Sequence, residues 1–209
     1  MRRLPDPPLS CLITSGEVTL DDYLSKKAQL LRTIRSAAED GVAIVQIREK
    51  ELPARLLLDL VREAVTIASD APTLIFVNDR ADIAWSANAD GVHLPEAGLA
   101  PSVVKTHFPD LLVGVSRHDA SGVDRAATGG ADLIYFGPVF DTPGKEKPSG
   151  LKTLSHVCST VTIPVVALGG VDSSNVASVL AAGAAGVAAI RSLNEASSRK
   201  RILDQLRAR

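Results

Sequence analysis

Aromatic residues are scarce, 3% of the 209 residues, although 45% of the chain is hydrophobic. A large core must therefore be aliphatic, built from Val, Ile, Leu and Ala, which suits a parallel sheet covered by helices. Cysteine is nearly absent. Cys11 and Cys158 lie in apolar segments without metal-ligand spacing, so they read as reduced core residues of a cytoplasmic protein rather than as a disulfide. No apolar run approaches the roughly 20 residues of a membrane span. The opening MRRLPDPPLS has charge but no apolar stretch, so residues 1–9 read as an irregular lead and not as a signal peptide. The formal net charge of −1 leaves no basic field for nucleic acid or an anionic membrane. One domain over residues 1–209 is expected, and homo-oligomer formation stays open.

What the chain has in abundance is one alternating unit. Short apolar runs at 11–13, 42–47, 74–77, 92–94, 111–115, 133–136, 165–168 and 186–190 read as strands. Each is followed by a helical stretch, the first at 23–38 with Leu24, Ala28, Leu31, Ile34 and Ala38 on one face. The others fall at 56–68, 80–87, 101–107, 123–128, 151–161, 175–182 and 198–209. Parallel neighbours need such crossovers, and eight units can close into a single-domain (β/α)₈ TIM barrel of the α/β class. An open doubly wound sheet is the alternative.

In a barrel, ligands gather where the strands end. Those ends offer Gln46, Arg48, Lys50, Asn78, Asp79, His93, Ser116, His118, Thr142, Lys145 and Arg191. Cationic groups dominate, which argues for a phosphorylated small-molecule substrate. Gly169-Gly170 lets backbone N–H groups approach an anion, with Arg191 and Ser192 available to complete the site; a tight turn is the other explanation of the glycines. Gln46, Arg48 and Lys50 alternate, so they point one way if the strand persists, and Arg48 can grip a phosphate bidentately. Otherwise they form a solvated strand end with Glu49 pairing a neighbour. Asp79 can hold Mg²⁺ against pyrophosphate oxygens, or Asn78 and Asp79 can cap the following helix. His93 reads as a hydrogen-bonded structural residue, whereas His118, at a polar loop end, suits proton transfer.

The segments VQIREK, FVNDRADIA, DGVHLPEAGL, GVSRH, ADLIYFGPVFDTPGK and IPVVALGGV, in this order, resemble the thiamin phosphate synthase/TenI family. The resemblance runs over residues 12–193 and implies a (β/α)₈ barrel. Synthases of the family join hydroxymethylpyrimidine pyrophosphate to a phosphorylated thiazole and release pyrophosphate. At matched motif positions, Gln46, Arg48, Lys50 and Asn78 would hold the pyrimidine and its pyrophosphate. Asp79 would bind Mg²⁺, Ser116 and Lys145 would contact pyrophosphate, and Thr142, Gly169 and the segment after the last strand would receive the thiazole phosphate.

Three positions depart from the synthase pattern. Gly98 stands where a second Mg²⁺-binding aspartate is usual, with Glu96 two residues away as a water-mediated substitute; Gly144 replaces a second threonine, and Arg191 replaces a serine. TenI-type relatives lack synthase activity and include a thiazole phosphate tautomerase, in which a histidine matching His118 shuttles the proton. The resemblance thus implies a synthase, a tautomerase acting through His118, or a non-catalytic binder of thiazole or thiamin phosphate.

Overall fold

The aliphatic runs form eight short strands: β1 (Leu9–Ile13), β2 (Ile44–Ile47), β3 (Leu74–Asn78), β4 (Gly91–Leu94), β5 (Leu112–Arg117), β6 (Leu133–Phe136), β7 (Val165–Leu168) and β8 (Gly186–Ala189). The computed structural model describes residues 2–144 and 147–208. Seven helices link successive strands: α1 (Tyr23–Asp40), α2 (Ala54–Ala68), α3 (Ala81–Ser86), α4 (Pro101–His107), α5 (Ala120–Thr128), α6 (Gly150–Thr160) and α7 (Val176–Ala181). Two more, α8 (Arg191–Asn194) and α9 (Ala196–Arg207), follow β8.

All strands are parallel, and β8 pairs with β1 through Leu12↔Ala189, closing the barrel in the order β1 to β8. Closure rules out the open doubly wound sheet. Alternation along each strand then separates two cores. Inward residues such as Leu9, Ile44, Phe76, Leu133, Tyr135 and Val166 fill the barrel. Outward ones such as Val45, Ile75, Val92, Val113 and Ala167 meet Leu60, Val104, Leu154 and Val179 from the helices. Scarce aromatics are used where bulk is needed. Phe76 and Tyr135 reach across to Gly91 and Gly114, where an added Cβ would lie 2.6 Å and 2.8 Å from their rings. Each glycine makes room for the ring opposite.

The expected strand and helix positions hold to within a few residues, with three differences. Residue 9 belongs to β1 and not to the lead, and the polar ends Asn78 and Ser116-Arg117 are still strand. Asn78 and Ser116 stay in the ladder because the barrel lets polar side chains point inward at its open end, whereas Arg117 turns outward against Gly122 of α5. The third is α8, four residues long, too short to leave a periodic pattern. Among the described residues no helix is long and apolar enough to cross a membrane.

Candidate active site

Four polar side chains from four strands meet inside the barrel near the carboxyl ends. Gln46 on β2 pairs in register with Phe76, Asn78 on β3 with His93 on β4, and Ser116 on β5 with Tyr135. Gln46 Nε2 lies 3.1 Å from Asn78 Oδ1 and 3.0 Å from His93 Nδ1, and His93 Nε2 lies 2.8 Å from Ser116 Oγ. An amide nitrogen only donates, so His93 Nδ1 accepts and its Nε2–H donates to Ser116. Burial, helped by the positive charges of Arg48, Arg117 and Lys50, pushes the His93 pKa down to about 3. The imidazole is therefore neutral near pH 7. Tyr135 packs edge-on against it, with centroids 4.8 Å apart.

The alternating cations are arranged differently from a continued strand, because β2 stops at Ile47. Gln46 is buried, Arg48 half-buried and Lys50 exposed. Between them Glu49 is only 2% exposed, which rules out a solvated strand end. Its carboxylate accepts from Thr14 Oγ1 at 2.6 Å, Gly16 N at 3.2 Å and Val18 N at 2.9 Å. Thr14 Oγ1 in turn accepts the Arg48 N–H at 2.8 Å. Glu49 thus folds the loop after β1 onto the backbone that carries the two cations.

Asp79 does not cap α3; the cap position is Arg80, and it makes no side-chain cap bond. Asp79 sits instead in the left-handed region at φ 63°, with its N–H bonded to His93 O at 2.7 Å. That conformation costs a non-glycine residue about 1 kcal/mol, and asparagine and aspartate tolerate it best. Its exposed carboxylate has no hydrogen bond or ion pair among the described residues. Gly98 faces it: an added Cβ would lie 3.1 Å from Asp79 Oδ1 and as close to Pro95, so position 98 lies beside Asp79. Glu96 is engaged elsewhere. Its Oε2 lies 3.2 Å from His118 Nε2, and His118 Nδ1 bonds to Gly137 O. Among the described residues no group of three or more His, Cys, Asp or Glu side chains is gathered to hold a metal. One carboxylate is nonetheless enough for Mg²⁺ when substrate phosphates supply further oxygens, so the donor set fits the ion only in that form.

On the far side of the mouth, the loop after β6 and the glycine pair after β7 are packed together. Gly169 and Gly170 have φ 92° and 67°, conformations that L side chains rarely adopt. A Cβ on Gly169 would lie 2.6 Å from Pro138 Cα and 3.2 Å from Thr142 Oγ1. Turn geometry and close approach both require the glycine, and Thr142 is brought to it. Ser192 Oγ donates to Val171 O at 2.7 Å, which ties the start of α8 to the same loop and engages the hydroxyl proton. Arg191 is exposed at the start of α8. Gly144 is left-handed too, φ 72°, with nothing within 4 Å of a Cβ. Lys145 lies outside the described residues.

The structure therefore gathers two groups at one mouth: Gln46, Asn78, Ser116, Arg48, Lys50, Asp79 and His118 on the β2–β5 side, and Thr142, Gly169, Gly170, Arg191 and Ser192 on the β6–β8 side. One participant escapes a reading of the sequence: Arg117, whose positive charge acts on His93 and whose own pKa is lowered, by burial first. His93, read as a hydrogen-bonded structural residue, is the one that joins three predicted site residues. A hollow of about 500 Å³, lined by Leu31, Arg32, Arg35, Arg62, Glu63 and Ile67, opens between α1 and α2, away from these residues.

Known proteins are similar to this chain over most of its length. A family model described as thiamine monophosphate synthase matches residues 13–193. The thiamine-phosphate synthase of Moorella thermoacetica is 40% identical over 164 residues, covering 77% of this chain and 78% of that protein. That of Methanoculleus marisnigri is 38% identical over 177 residues, covering 83% and 84%. The solved thiamine phosphate pyrophosphorylase from Pyrococcus furiosus superimposes with a TM-score of 0.82 at 29% identity, covering 96% of this chain and 94% of that one. With its barrel and most of its length in common with these proteins, the chain belongs to the thiamine monophosphate synthase family.

Proposed function

We propose that this protein is a cytoplasmic thiamin phosphate synthase, a transferase joining hydroxymethylpyrimidine pyrophosphate to thiazole phosphate with release of pyrophosphate. One observation carries the reading: Gln46, Asn78 and Ser116 are joined through His93, and the positive charges of Arg48, Lys50 and Arg117 act on that ring. Such a set suits a ligand with a polar ring at one end and a concentrated negative charge at the other.

The chemistry breaks the bond between the pyrimidine methylene carbon and the pyrophosphate oxygen, and the electron pair leaves with pyrophosphate. The thiazole nitrogen then captures the pyrimidine cation. Gln46 and Asn78 hold the ring so that the methylene faces the thiazole. Arg48, Lys50, Ser116 and Lys145 stabilise the charge that grows on the leaving group, where prearranged donors and cations accelerate most. Asp79 would hold Mg²⁺, which neutralises pyrophosphate charge when bound. Thr142, Gly169, Gly170, Arg191 and the backbone at Ser192 receive the thiazole phosphate and keep the nitrogen in line.

The test is direct. Purified protein incubated with both substrates and Mg²⁺ should form thiamin phosphate and pyrophosphate, and Asp79→Ala and Lys145→Ala should each lose most of that activity. A second reading rests on His118, which bridges Glu96 and Gly137 O at the mouth, and on Gly98 beside Asp79. In that reading His118 moves the proton of a thiazole phosphate tautomerase without metal. Absence of thiamin phosphate, together with thiazole tautomer conversion that vanishes in His118→Ala, would replace the first reading by the second. Binding of thiazole phosphate with neither reaction would leave a non-catalytic binder.

A further inference from the structure

We infer that His93 is a positioning residue: protonated only at Nε2, it turns the Ser116 hydroxyl outward as a donor for an anion at the barrel mouth. The inference rests on the proposed contact between Ser116 and pyrophosphate, and it adds a role for a residue to which the proposed function gives no substrate contact.

The argument follows the hydrogens. A serine hydroxyl has one proton and can rotate it toward any acceptor nearby. Here the His93 Nε2–H, 2.8 Å away, approaches Ser116 Oγ from inside the barrel and takes one of its lone pairs. Among the described residues no side chain or carbonyl accepts the Ser116 hydroxyl proton. Ser116 is half-buried, so that proton is left for the open side.

The direction of the relay is set at its other end. Both N–H groups of Gln46 are engaged, one on Asn78 Oδ1 and one on His93 Nδ1. Reversing the Gln46 amide alone would place its Oε1 against Asn78 Oδ1, oxygen against oxygen; in the arrangement found, Gln46 Oε1 is buried without a partner among the described residues and Asn78 Oδ1 lies 3.4 Å from His93 Nδ1. With Gln46 Nε2 donating to Nδ1, the ring proton sits on Nε2. Tyr135 packs on the ring's edge, and the positive charges of Arg48, Lys50 and Arg117 act on this end of the barrel, where they favour an anion next to the hydroxyl that the ring orients.

The probe is inorganic pyrophosphate, titrated calorimetrically at one fixed Mg²⁺ concentration. Ser116→Ala should weaken binding roughly tenfold or more, as loss of a hydrogen bond to a charged group does. His93→Leu should weaken it to a similar degree, and the double variant should be no weaker than either single one. His93→Gln, which keeps a donor and an acceptor, should recover part of the loss. Nitrogen NMR of the imidazole should show the proton on Nε2 at neutral pH. Additive losses in the double variant, undiminished binding in His93→Leu, or a proton on Nδ1 would each overturn the inference. If Ser116→Ala itself binds normally, the pyrophosphate contact fails and the inference falls with it, a different result from the others. Should His93→Leu not fold, His93→Gln and the NMR tautomer still decide.

Discussion

Gly98 faces Asp79 so closely that a side-chain carbon on it would sit 3.1 Å from Asp79 Oδ1. Its backbone is not in the left-handed region, since no positive φ is found there, so glycine is not required by conformation. What resists a side chain is Pro95, whose Cδ and carbonyl oxygen lie 3.0 and 3.1 Å from the same point. Gly98→Asp should therefore fold after a shift of a few tenths of an ångström in an exposed loop, at a stability cost of about 1 kcal/mol. It would set a second carboxylate beside the first. Mg²⁺ or Mn²⁺ affinity should rise roughly tenfold, since ligand charge and number set the strength of such sites. A calorimetric or Mn²⁺ paramagnetic titration measures it. An unchanged affinity would mean that Asp79 is not the metal-facing carboxylate.

The other carboxylate of that loop has a different partner. Glu96 lies 3.2 Å from His118 Nε2, and both side chains are close to half exposed. Exposed pairs of this kind contribute about 0–1 kcal/mol, so the pair fixes a loop more than it stabilises the fold. His118→Ala should lower thiamin phosphate formation by less than about tenfold, whereas Asp79→Ala should lower it by about 10² or more, the usual loss when a transition-state charge partner is removed. Steady-state assays of both variants separate the roles. A larger loss in His118→Ala than in Asp79→Ala would favour proton transfer over charge stabilisation as the business of this mouth.

The fold was readable because the barrel is made of apolar runs separated by helical spacing, and each run is buried on both sides. Boundaries slipped where chemistry and structure pull apart: Asn78 and Ser116 look like loop residues, yet stay in the ladder because polar groups line the barrel near its mouth. The mouth was also readable, since every strand end points there. Partnerships were not. Gln46 and His93 are 47 residues apart, and nothing local says that one accepts from the other. Glu49 reads as a surface charge because its acceptors are satisfied by backbone N–H groups, which sequence does not display. Arg117 was hidden between Ser116 and His118, two residues with more obvious chemistry.

Glu49 offers a test of loop anchoring. Its carboxylate takes three hydrogen bonds, two of them from backbone N–H groups of the segment after β1. Glu49→Gln keeps the shape but sets an amide N–H against donors, leaving at least one buried donor unpaired. Stability should fall by about 2–3 kcal/mol. Pyrophosphate affinity should fall as well, because Arg48 shares Thr14 with Glu49. Urea unfolding gives the first quantity and calorimetry the second. A variant as stable as the parent would mean that the loop is held by other contacts.

His93 gives the protein a specific response to acid. Its pKa is about 3 in the fold against 6.5 for the free side chain, with burial the main cause and Arg48, Arg117 and Lys50 adding to it. Between those values the unfolded chain binds a proton that the folded one refuses, so stability rises with pH across this window and is fully retained above it. Acidification from pH 7.5 to 5 should therefore remove about 2 kcal/mol through this one residue, at roughly 1.4 kcal/mol per pH unit below 6.5. In His93→Gln that part of the pH dependence should vanish while the contributions of the carboxylates remain. Urea unfolding of both proteins at the two pH values isolates it by difference. Equal losses in the two proteins would mean that the imidazole titrates normally in the fold, and that the network around it carries no preference for the neutral ring.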